Sequence, residues 1–499
     1  MRKILANCRA LLGESHALSD APVDIVIEGR TIADIRPHGA GEAGADVIDM
    51  SRRLIAPGLI NGHHHSHEGY YKGRKDNLPL ELWMNYVRPM RPIDLSPRDV
   101  YLRTMVGAIE AVKSGTTTLC DDLNASPRLR PDHIEAALQA YEDIGIRANV
   151  GITLFDKPFF RALPFVDEEF SRELLAELDA VPVSSPDTLL NFAAGLARAR
   201  HPQTSRVAYM ATPSAPQRCT EDFLRRVRRL ADDFDLPLMI HVQETRLQVV
   251  TGQLWYGSTM VEYLHRLGFL KPKTQIIHGV WLNPAEIGLL AEAGASVQYN
   301  PSSNLKLGSG IAPFRALLDA GVNVSMGTDG CGSIDSVDMQ NAICDGALIQ
   351  KLRGDHTAWT GARETLHAAT MGGAKALGRE RELGAVEKGR IADLVAYRID
   401  AIAFTPLNDA VNQLVYGATK ADIDMVMVDG EVIQEKGRLT RVNEDALIAE
   451  IHEVHARISG DMAASERDVA RLAAPYERIH RRCQHMPIPA DTYPARLEG

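Results

Sequence analysis

Short runs of apolar and β-branched residues alternate with amphipathic segments along most of this chain. The runs lack the strict apolar–polar alternation of a one-sided sheet, which favours strands buried on both faces. The segments between them repeat apolar positions three and four residues apart, as amphipathic helices do. Eight such strands, each followed by a helix, predict an α/β fold of the (β/α)8 TIM-like barrel type. The first strand ends in the histidine cluster at 63–67, and the others span 116–121, 147–153, 206–212, 236–242, 274–278, 296–299 and 322–327.

Both ends of the chain have β character outside this barrel. The N-terminal segment contains short strands rich in Ile and Val, and the turn Glu28-Gly29-Arg30 predicts a hairpin between two of them. The same pattern returns at 389–397 and 425–430. We therefore expect a small β-sandwich domain built from both termini. The predicted boundaries are 1–56 and 381–442 for this β domain, 57–380 for the barrel and 443–499 for a C-terminal helical tail.

The segment 67–97, which follows the histidine cluster, is polar and aromatic and has no clear periodicity. It is predicted to be a long loop over the mouth of the barrel. Trp83 in this loop has a ring that can stack on a flat heterocycle, although packing that anchors the loop is the interpretation we favour. Arg74 and Arg88 are either contacts for an anionic substrate or ordinary solvated side chains.

Composition and charge narrow the classes of partner. Of the 499 residues, 45% are hydrophobic and 24% are charged, which is typical of a globular protein. The formal net charge is −10 and no long basic run occurs, so neither nucleic acid nor an anionic membrane is expected as a partner. The six cysteines include no CxxC pair, which indicates reduced thiols and a cytoplasmic protein. The sequence has neither a signal-peptide pattern nor an apolar run that could span a bilayer.

Polar side chains stand where several of the predicted barrel strands end. His63 and His65 point to the same side of the first strand, whereas His64 points to the opposite side. His241 and Asp329 end the fifth and eighth strands, and the carboxyl ends of barrel strands converge on one mouth. Three imidazoles and one carboxylate suit Zn²⁺ or Fe²⁺. Each residue alone has an ordinary structural explanation, but their coincidence at the same strand ends favours a metal site.

Further candidates surround this predicted metal site. His278 ends the sixth strand, and Glu244 lies just past the fifth, near the metal but not bound to it, as a proton shuttle requires. His67 is a candidate for lining the pocket. The other predicted substrate contacts are Trp83, Ser214, Gln217 and Asn304.

Several motifs resemble those of the amidohydrolase superfamily, and most closely its branch of triazine chlorohydrolases and adenosine-analogue, guanine and cytosine deaminases. They are Pro57–His65, Lys113–Thr118, His241–Thr245, His278–Leu282, Asn300–Gly310, Gly327–Gly330 and, in the closing β domain, Gly389–Val395. The resemblance implies that His63, His65, His241 and Asp329 hold one divalent metal. It also implies catalytic roles for Glu244, His278 and Asp329, and a homo-oligomer. Two-metal members carry a lysine at the end of the fourth strand, whereas this strand ends Ala211-Thr212-Pro213-Ser214.

The sequence departs from the deaminase pattern at two positions. Many members of the branch have a histidine within the segment that reads Pro213-Ser214-Ala215-Pro216 here, and many have histidine at the position of Tyr299. The first departure puts a nucleoside-type substrate in doubt without touching the metal ligands.

The reaction expected from these residues is hydrolytic deamination of an amino-substituted nitrogen heterocycle by a metal-activated water. Zn²⁺ is the expected ion, with Fe²⁺ as the alternative. Amide or lactam ring opening and dechlorination remain alternative reactions at the same site. A catalytically inactive scaffold is disfavoured because all four ligands are present.

Overall fold

The computed structural model describes residues 2–39, 44–87, 93–125 and 127–496, so Arg88 lies outside the described residues. The N-terminal β strands match the predicted β unit, and β3 and β4 form the antiparallel hairpin predicted from its turn. The strands are β1 (Arg2–Leu12), β2 (Ala17–Leu18), β3 (Val23–Glu28), β4 (Thr31–Pro37), β5 (Asp46–Asp49) and β6 (Arg53–Pro57).

Parallel strands form two sheets in the middle of the chain. One has the strand order β10-β9-β8-β7, with β11 paired to β9, and the other has the order β12-β13-β14-β15. The predicted fourth strand is thus divided into β10 and β11. The strands are β7 (Leu59–His64), β8 (Thr116–Leu123), β9 (Arg147–Leu154), β10 (Val207–Tyr209), β11 (Thr212–Pro213), β12 (Leu238–Val242), β13 (Thr274–His278), β14 (Ser296–Tyr299) and β15 (Asn323–Met326).

Two contacts join these parallel sheets at their edges. Ala211 forms a parallel bridge to Leu238, between the fourth and fifth predicted strands. Just past β15, the Asp329 N–H donates to the carbonyl oxygen of His63 at 3.0 Å. The two sheets and the α/β content fit a TIM-like arrangement.

Strands from both termini join in one ten-stranded sheet. β1 pairs with β3 at its start and with β6 further on, and β6 pairs with β16 from the C-terminal part. Leu5 and Ile25 from the N-terminal strands pack in the same apolar cluster as Leu394 and Met425. The returning strands are β16 (Leu394–Arg398), β17 (Ile423–Val428), β18 (Glu431–Glu435) and β19 (Arg438–Leu439).

Helices follow most of the parallel strands. The α-helices are α1 (Leu80–Val87), α2 (Pro97–Lys113), α3 (Pro131–Ile144), α4 (Val166–Glu169), α5 (Arg172–Asp179), α6 (Pro186–Ala199), α7 (Glu221–Asp233), α8 (Arg246–Tyr256), α9 (Met260–Arg266), α10 (Pro284–Ala293), α11 (Pro301–Lys306), α12 (Phe314–Asp319), α13 (Cys331–Ile334), α14 (Met339–Ile349), α15 (Ala362–His367), α16 (Gly373–Ala376), α17 (Ala410–Tyr416) and α18 (Glu444–Gln484). A π-helical turn, Ala368–Gly372, connects α15 to α16. The 3₁₀ turns are Ser66–Tyr71, Phe159–Ala162, Pro216–Arg218, Gln350–Leu352, His356–Ala358, Ile402–Phe404 and Lys420–Asp422.

The expectation of a structureless loop after the histidine cluster was wrong. The chain forms the 3₁₀ turn Ser66–Tyr71 and then α1, with Leu80, Trp83 and Val87 buried on one side of that helix. These positions have helical spacing, but they repeat over only two turns, which is too short a window for periodicity to stand out.

Helix α18 spans 41 residues and contacts α1, α2, α4 and α8. Glu466 on α18 accepts from Arg74 and Lys75, and Arg457 on α18 donates to Asp99 at the start of α2. The buried Glu81 of α1 contacts His480 of α18 at 3.1 Å. None of the helices in the part of the chain that the structure describes is long and apolar enough to cross a membrane.

Candidate active site

The imidazoles of His63, His65 and His241 meet at the carboxyl ends of the parallel strands. Their ring centroids are 4.6 Å apart for His63–His65, 4.8 Å for His63–His241 and 5.4 Å for His65–His241. Asp329 completes the group, because its Oδ1 lies 3.6 Å from Nε2 of His63 and 3.5 Å from Nε2 of His65. The structure therefore brings together the four side chains that the sequence predicts as metal ligands.

Backbone carbonyls fix the orientation of two of these rings. Nδ1 of His65 donates to the carbonyl oxygen of Asp122 at 2.8 Å, and Nδ1 of His241 donates to that of Ser214 at 2.9 Å. Since a carbonyl oxygen only accepts, the proton is on Nδ1 and the lone pair of each ring is on Nε2. Such outer contacts are typical of histidines that bind metals.

The donor set fits a divalent transition metal. Burial and the neighbouring imidazoles hold the pKa of His63 well below its usual range, so the ring is neutral. Its Nε2 is buried and has no hydrogen-bond partner among the described residues. Neutral imidazole nitrogens with one carboxylate oxygen are a common ligand set for Zn²⁺ and related ions.

The backbone at Asp329 directs its carboxylate into the site. Asp329 follows β15 with a φ of +70°, in the left-handed region that a non-glycine residue seldom adopts. Its N–H is held by His63, and its Oδ2 accepts from the Ser303 hydroxyl at 2.6 Å. His64 points away from the site, and its Nδ1 donates to the carbonyl oxygen of Asp329 at 3.1 Å.

Glu244 lies beside the imidazole group in a closed environment. Burial raises the pKa of its carboxyl well above the usual range, and the nearby Asp329 and Glu81 add to that shift. The Glu244 N–H donates to Oε1 of Gln248 at 2.9 Å, and the Ser309 hydroxyl lies 3.4 Å from Oε1 of Glu244. This shift favours the protonated form of the carboxyl, and the two contacts hold it in place, as a proton donor requires.

His278 faces Glu244 and is oriented from behind by two amides. Nδ2 of Asn304 and Nδ2 of Asn300 lie 2.9 and 3.3 Å from Nδ1 of His278. Burial lowers the pKa of His278 to about 3, so the ring is neutral. Because the amide nitrogens donate to Nδ1, the single proton of the ring is on Nε2. Asn304, predicted as a substrate contact, therefore lies behind His278 instead of lining the catalytic pocket.

A small pocket with a cavity volume of about 50 Å³ opens in front of these groups. The predicted substrate contacts Trp83, Ser214 and Gln217 line it. Trp83 also packs against Leu80, Val87 and Leu307, as the anchoring interpretation expects. His67 instead lines a larger neighbouring cavity, which we call the distal cavity.

Four further polar or aromatic residues of the lining were not predicted: Glu68, Phe159, Arg218 and Gln248. Two of them had a signal in the sequence. Glu68 directly follows the histidine cluster, and Gln248 comes four residues after Glu244, one helical turn further on. Phe159 and Arg218 lie in short 3₁₀ turns between strands and carried no such signal.

Comparisons with known proteins found a matching family and similar sequences. A family model described as "Amidohydrolase family" matches residues 54–433. A 5-methylthioadenosine/S-adenosylhomocysteine deaminase from Thermococcus kodakarensis is 32% identical over 87% of this chain and 94% of its own length. A 5'-deoxyadenosine deaminase from Methanothermobacter thermautotrophicus is 33% identical over 87% of this chain and 93% of its own length.

Solved structures give the same result for the fold. An adenosine deaminase from Xanthomonas campestris with bound zinc superposes with a TM-score of 0.80, at 28% identity over 92% of this chain and 98% of the other. Atrazine chlorohydrolase from Arthrobacter aurescens TC1, complexed with zinc, gives a TM-score of 0.82 at 24% identity over 91% of this chain and 100% of the other, which shows the fold alone. The zinc-bound relative and the His/His/Asp group indicate a divalent metal. The resemblance inferred from the sequence motifs is confirmed: the chain belongs to the amidohydrolase family.

Proposed function

We propose that this protein is a metal-dependent aminohydrolase that catalyses hydrolytic deamination of an amino-substituted nitrogen heterocycle. The observation that carries the proposal is the buried Glu244 carboxyl, whose Oε2 lies 3.6 Å from Nε2 of His278 at the edge of the imidazole group. Relatives that are themselves described as deaminases of methylthioadenosine and deoxyadenosine support the same reaction class.

One divalent ion, Zn²⁺ in our proposal, would be held by His63, His65, His241 and Asp329. Such an ion supplies a hydroxide nucleophile at neutral pH. The fourth predicted strand ends Thr212-Pro213-Ser214, without a lysine that could bridge a second ion. This supports a single metal per chain.

The protein's own groups would move the protons of the reaction. Asp329 accepts a proton at its carboxylate, which the Ser303 hydroxyl holds in a fixed orientation. The Nε2–H of His278 points toward the group under attack and polarises it. Glu244 delivers its proton to a ring nitrogen, and the proton taken up by Asp329 passes to the amino group. The hydroxyl proton of the adduct returns to Glu244 as the carbonyl forms. A C–O bond forms, the C–N bond breaks, and ammonia leaves.

The heterocycle would lie in the small pocket between Trp83 and Phe159, whose rings offer stacking faces. Ser214 occupies the segment where many deaminases have a histidine, and its hydroxyl accepts from Nη1 of Arg218 at 3.0 Å. The polar groups at this position therefore come from a hydroxyl and a guanidinium in place of an imidazole. We infer that this change alters recognition of the ring and leaves the metal ligands unaffected.

The architecture belongs to the same proposal. The bridge from Ala211 to Leu238 and the bond from Asp329 to His63 support closure of the two parallel sheets into an eight-stranded barrel. The apolar cluster shared by Leu5 and Leu394 supports a β-sandwich. The proposed domains remain 1–56 with 381–442, 57–380 and 443–499.

A homo-oligomer and a cytoplasmic location complete the proposal. The family resemblance supports the first, and the six free cysteines support the second. Light scattering on the purified protein will measure the oligomeric state.

The direct test is an ammonia-release screen of the zinc-loaded protein over aminopurines, pterins, pyrimidines and triazines. We expect ammonia from at least one aminated ring, loss of activity with a chelator and about one metal ion per chain. Opening of a lactam ring without ammonia, or release of chloride alone, would assign the site to the alternative hydrolytic reactions. Two ions per chain would contradict the single-metal site.

A further inference from the structure

The catalytic pocket adjoins a much larger space that the reaction itself does not require. The distal cavity has a volume of about 400 Å³, against about 50 Å³ for the catalytic pocket. Phe159 and Arg218 line both spaces, so they mark the junction between them. A substituent on a ring held at the metal site would pass these two side chains to reach the distal cavity.

The wall of the distal cavity includes the C-terminal helix. Ile458, Leu472 and Tyr476 of α18 line it, together with Phe155 and Phe160 from the segment after β9. The ring of Tyr476 stacks on Phe159, with centroids 6.1 Å apart. Helix α18 lies outside the matched residues 54–433. This part of the wall therefore lies beyond the residues that the family model matches.

A cationic side chain stands on this mostly apolar wall. Arg103 of α2 lines the cavity, and its Nε is buried without a hydrogen-bond partner. No hydrogen bond or ion pair joins its guanidinium to any residue within the described ranges 2–39, 44–87, 93–125 and 127–496. Burial lowers the pKa of Arg103 because desolvation disfavours its charged form, and Asp121, which forms no ion pair with it, offsets only part of this cost. A bound anion would remove that cost.

Arg218 adds a second positive charge at the junction. Its guanidinium lies 4.2 Å from the ring centre of Phe155 and is held by Ser214. An arm that passes Arg218 and reaches Arg103 would meet two cations, and Phe155, Phe159 and Phe160 line the same cavity. The apolar wall of the cavity would bury the apolar part of the arm, and Arg103 would pair with its charged end.

We propose that the distal cavity is a second substrate-binding site, which receives an apolar arm ending in a carboxylate or phosphate, with Arg103 binding the anionic end and α18 covering the arm. The inference rests on the proposed deamination, because the arm is attached to the ring that reacts. It predicts that arm-bearing heterocycles are better substrates than the bare ring.

The test compares matched probes on the zinc-loaded full-length protein. The probes are 9-(ω-carboxyalkyl)adenines of graded linker length, the corresponding carboxamides and phosphonates, and 9-methyladenine as the bare ring. We expect kcat/KM for the carboxylate or phosphonate to exceed that for the carboxamide by about tenfold or more. The comparison of carboxylate with phosphonate identifies which anion the site prefers.

Two variants test whether the distal cavity is responsible for the preference for anionic, arm-bearing probes. Arg103→Met should raise KM for the anionic probes by about tenfold and leave kcat and the carboxamide unchanged. Leu472→Trp should fill the cavity and lower kcat/KM for every arm-bearing probe, while turnover of 9-methyladenine verifies that the variant is folded. Arg225→Met removes an exposed positive charge of α7 and serves as the matched control.

Equal kcat/KM for carboxylate and carboxamide in the parent protein, with 9-methyladenine still deaminated, would overturn the inference. If no adenine probe releases ammonia, the proposed deamination of this ring has failed, and binding decides the inference. Titration calorimetry should then show tighter binding of the carboxylate than of the carboxamide, and Arg103→Met should abolish the difference. Equal binding of the two probes would reject the second site independently of turnover.

Discussion

Nε2 of His278 lies 3.6 Å from Oε2 of Glu244 and 4.0 Å from Oδ2 of Asp329. All three side chains are buried. The neutral ring of His278 carries its proton on Nε2, and burial raises the pKa of Glu244, which favours its protonated form. Two proton donors and one carboxylate thus face the same space, which is the arrangement that addition of water and departure of an amine both require.

Glu244→Gln should lower kcat by about 10²- to 10⁴-fold, because the amide cannot deliver a proton. The metal content should stay the same, since Glu244 is outside the proposed ligand set. Ammonia release and elemental analysis measure the two quantities. The exposed Glu292→Gln on α10 is the matched control. Unchanged turnover in Glu244→Gln would remove this residue from the mechanism.

Asn304→Asp should lower kcat by about tenfold to hundredfold with little change in KM. A carboxylate at this position accepts a hydrogen bond, so it would draw the proton of His278 to Nδ1 and leave Nε2 without one. A change in the pH profile of kcat should accompany the loss, and Asn304→Ser, which can still donate, should recover part of the activity. If Asn304→Asp and Asn304→Ser behave alike, the hydrogen bond to Nδ1 does not position the ring.

The proposed ligands could be predicted from the sequence because the direction of side chains on a strand follows from their order along that strand. Alternation along one strand separates His63 and His65 from His64, and His241 and Asp329 stand at strand ends that a barrel brings together. No distant contact has to be known for these inferences. In the structure these imidazoles and the Asp329 carboxylate lie together, and His64 points away from them.

The substrate contacts depend on packing between distant parts of the chain, so they were harder to predict from the sequence. Arg218 reaches the pocket from a 3₁₀ turn, and Phe159 from the segment between β9 and α4. Asn304 lies in a conspicuous motif, but only its tertiary contact with His278 reveals what it binds. Likewise, the helical periodicity of α18 predicts the helix itself but not that the helix lines the distal cavity.

Arg147→Met should lower the free energy of unfolding by about 3–5 kcal/mol. Arg147 on β9 is buried, and it donates to Asp393 at 3.1 Å and to Asp429 at 2.6 Å, two carboxylates from the returning β segment. The substitution leaves both carboxylates without this cation. Denaturant unfolding measures the change. Arg98→Met, which breaks the exposed pair with Glu450, is the control and should cost no more than about 1 kcal/mol. Equal effects would mean that the buried cluster does not hold the two parts together.

Glu286 on α10 should make stability depend on pH. Burial raises the pKa of its carboxyl to about 7, from an ordinary value of 4.5 in the unfolded chain. Between these values the folded state binds the proton more tightly. Its contribution to stability is therefore fully present below about pH 4.5 and is lost as the pH rises through about 7.

Glu286→Gln should remove this dependence while keeping an acceptor for the Asn283 N–H, which Glu286 now caps at 2.9 Å. The variant should match the parent protein near pH 4 and exceed its unfolding free energy by up to about 3 kcal/mol at pH 8. Urea unfolding at several pH values measures the difference, in which the titration of all other groups cancels. Glu292→Gln on the same helix is exposed and should leave the pH profile unchanged. A constant difference between Glu286→Gln and the parent protein from pH 5 to 8 would show that Glu286 does not titrate in this range.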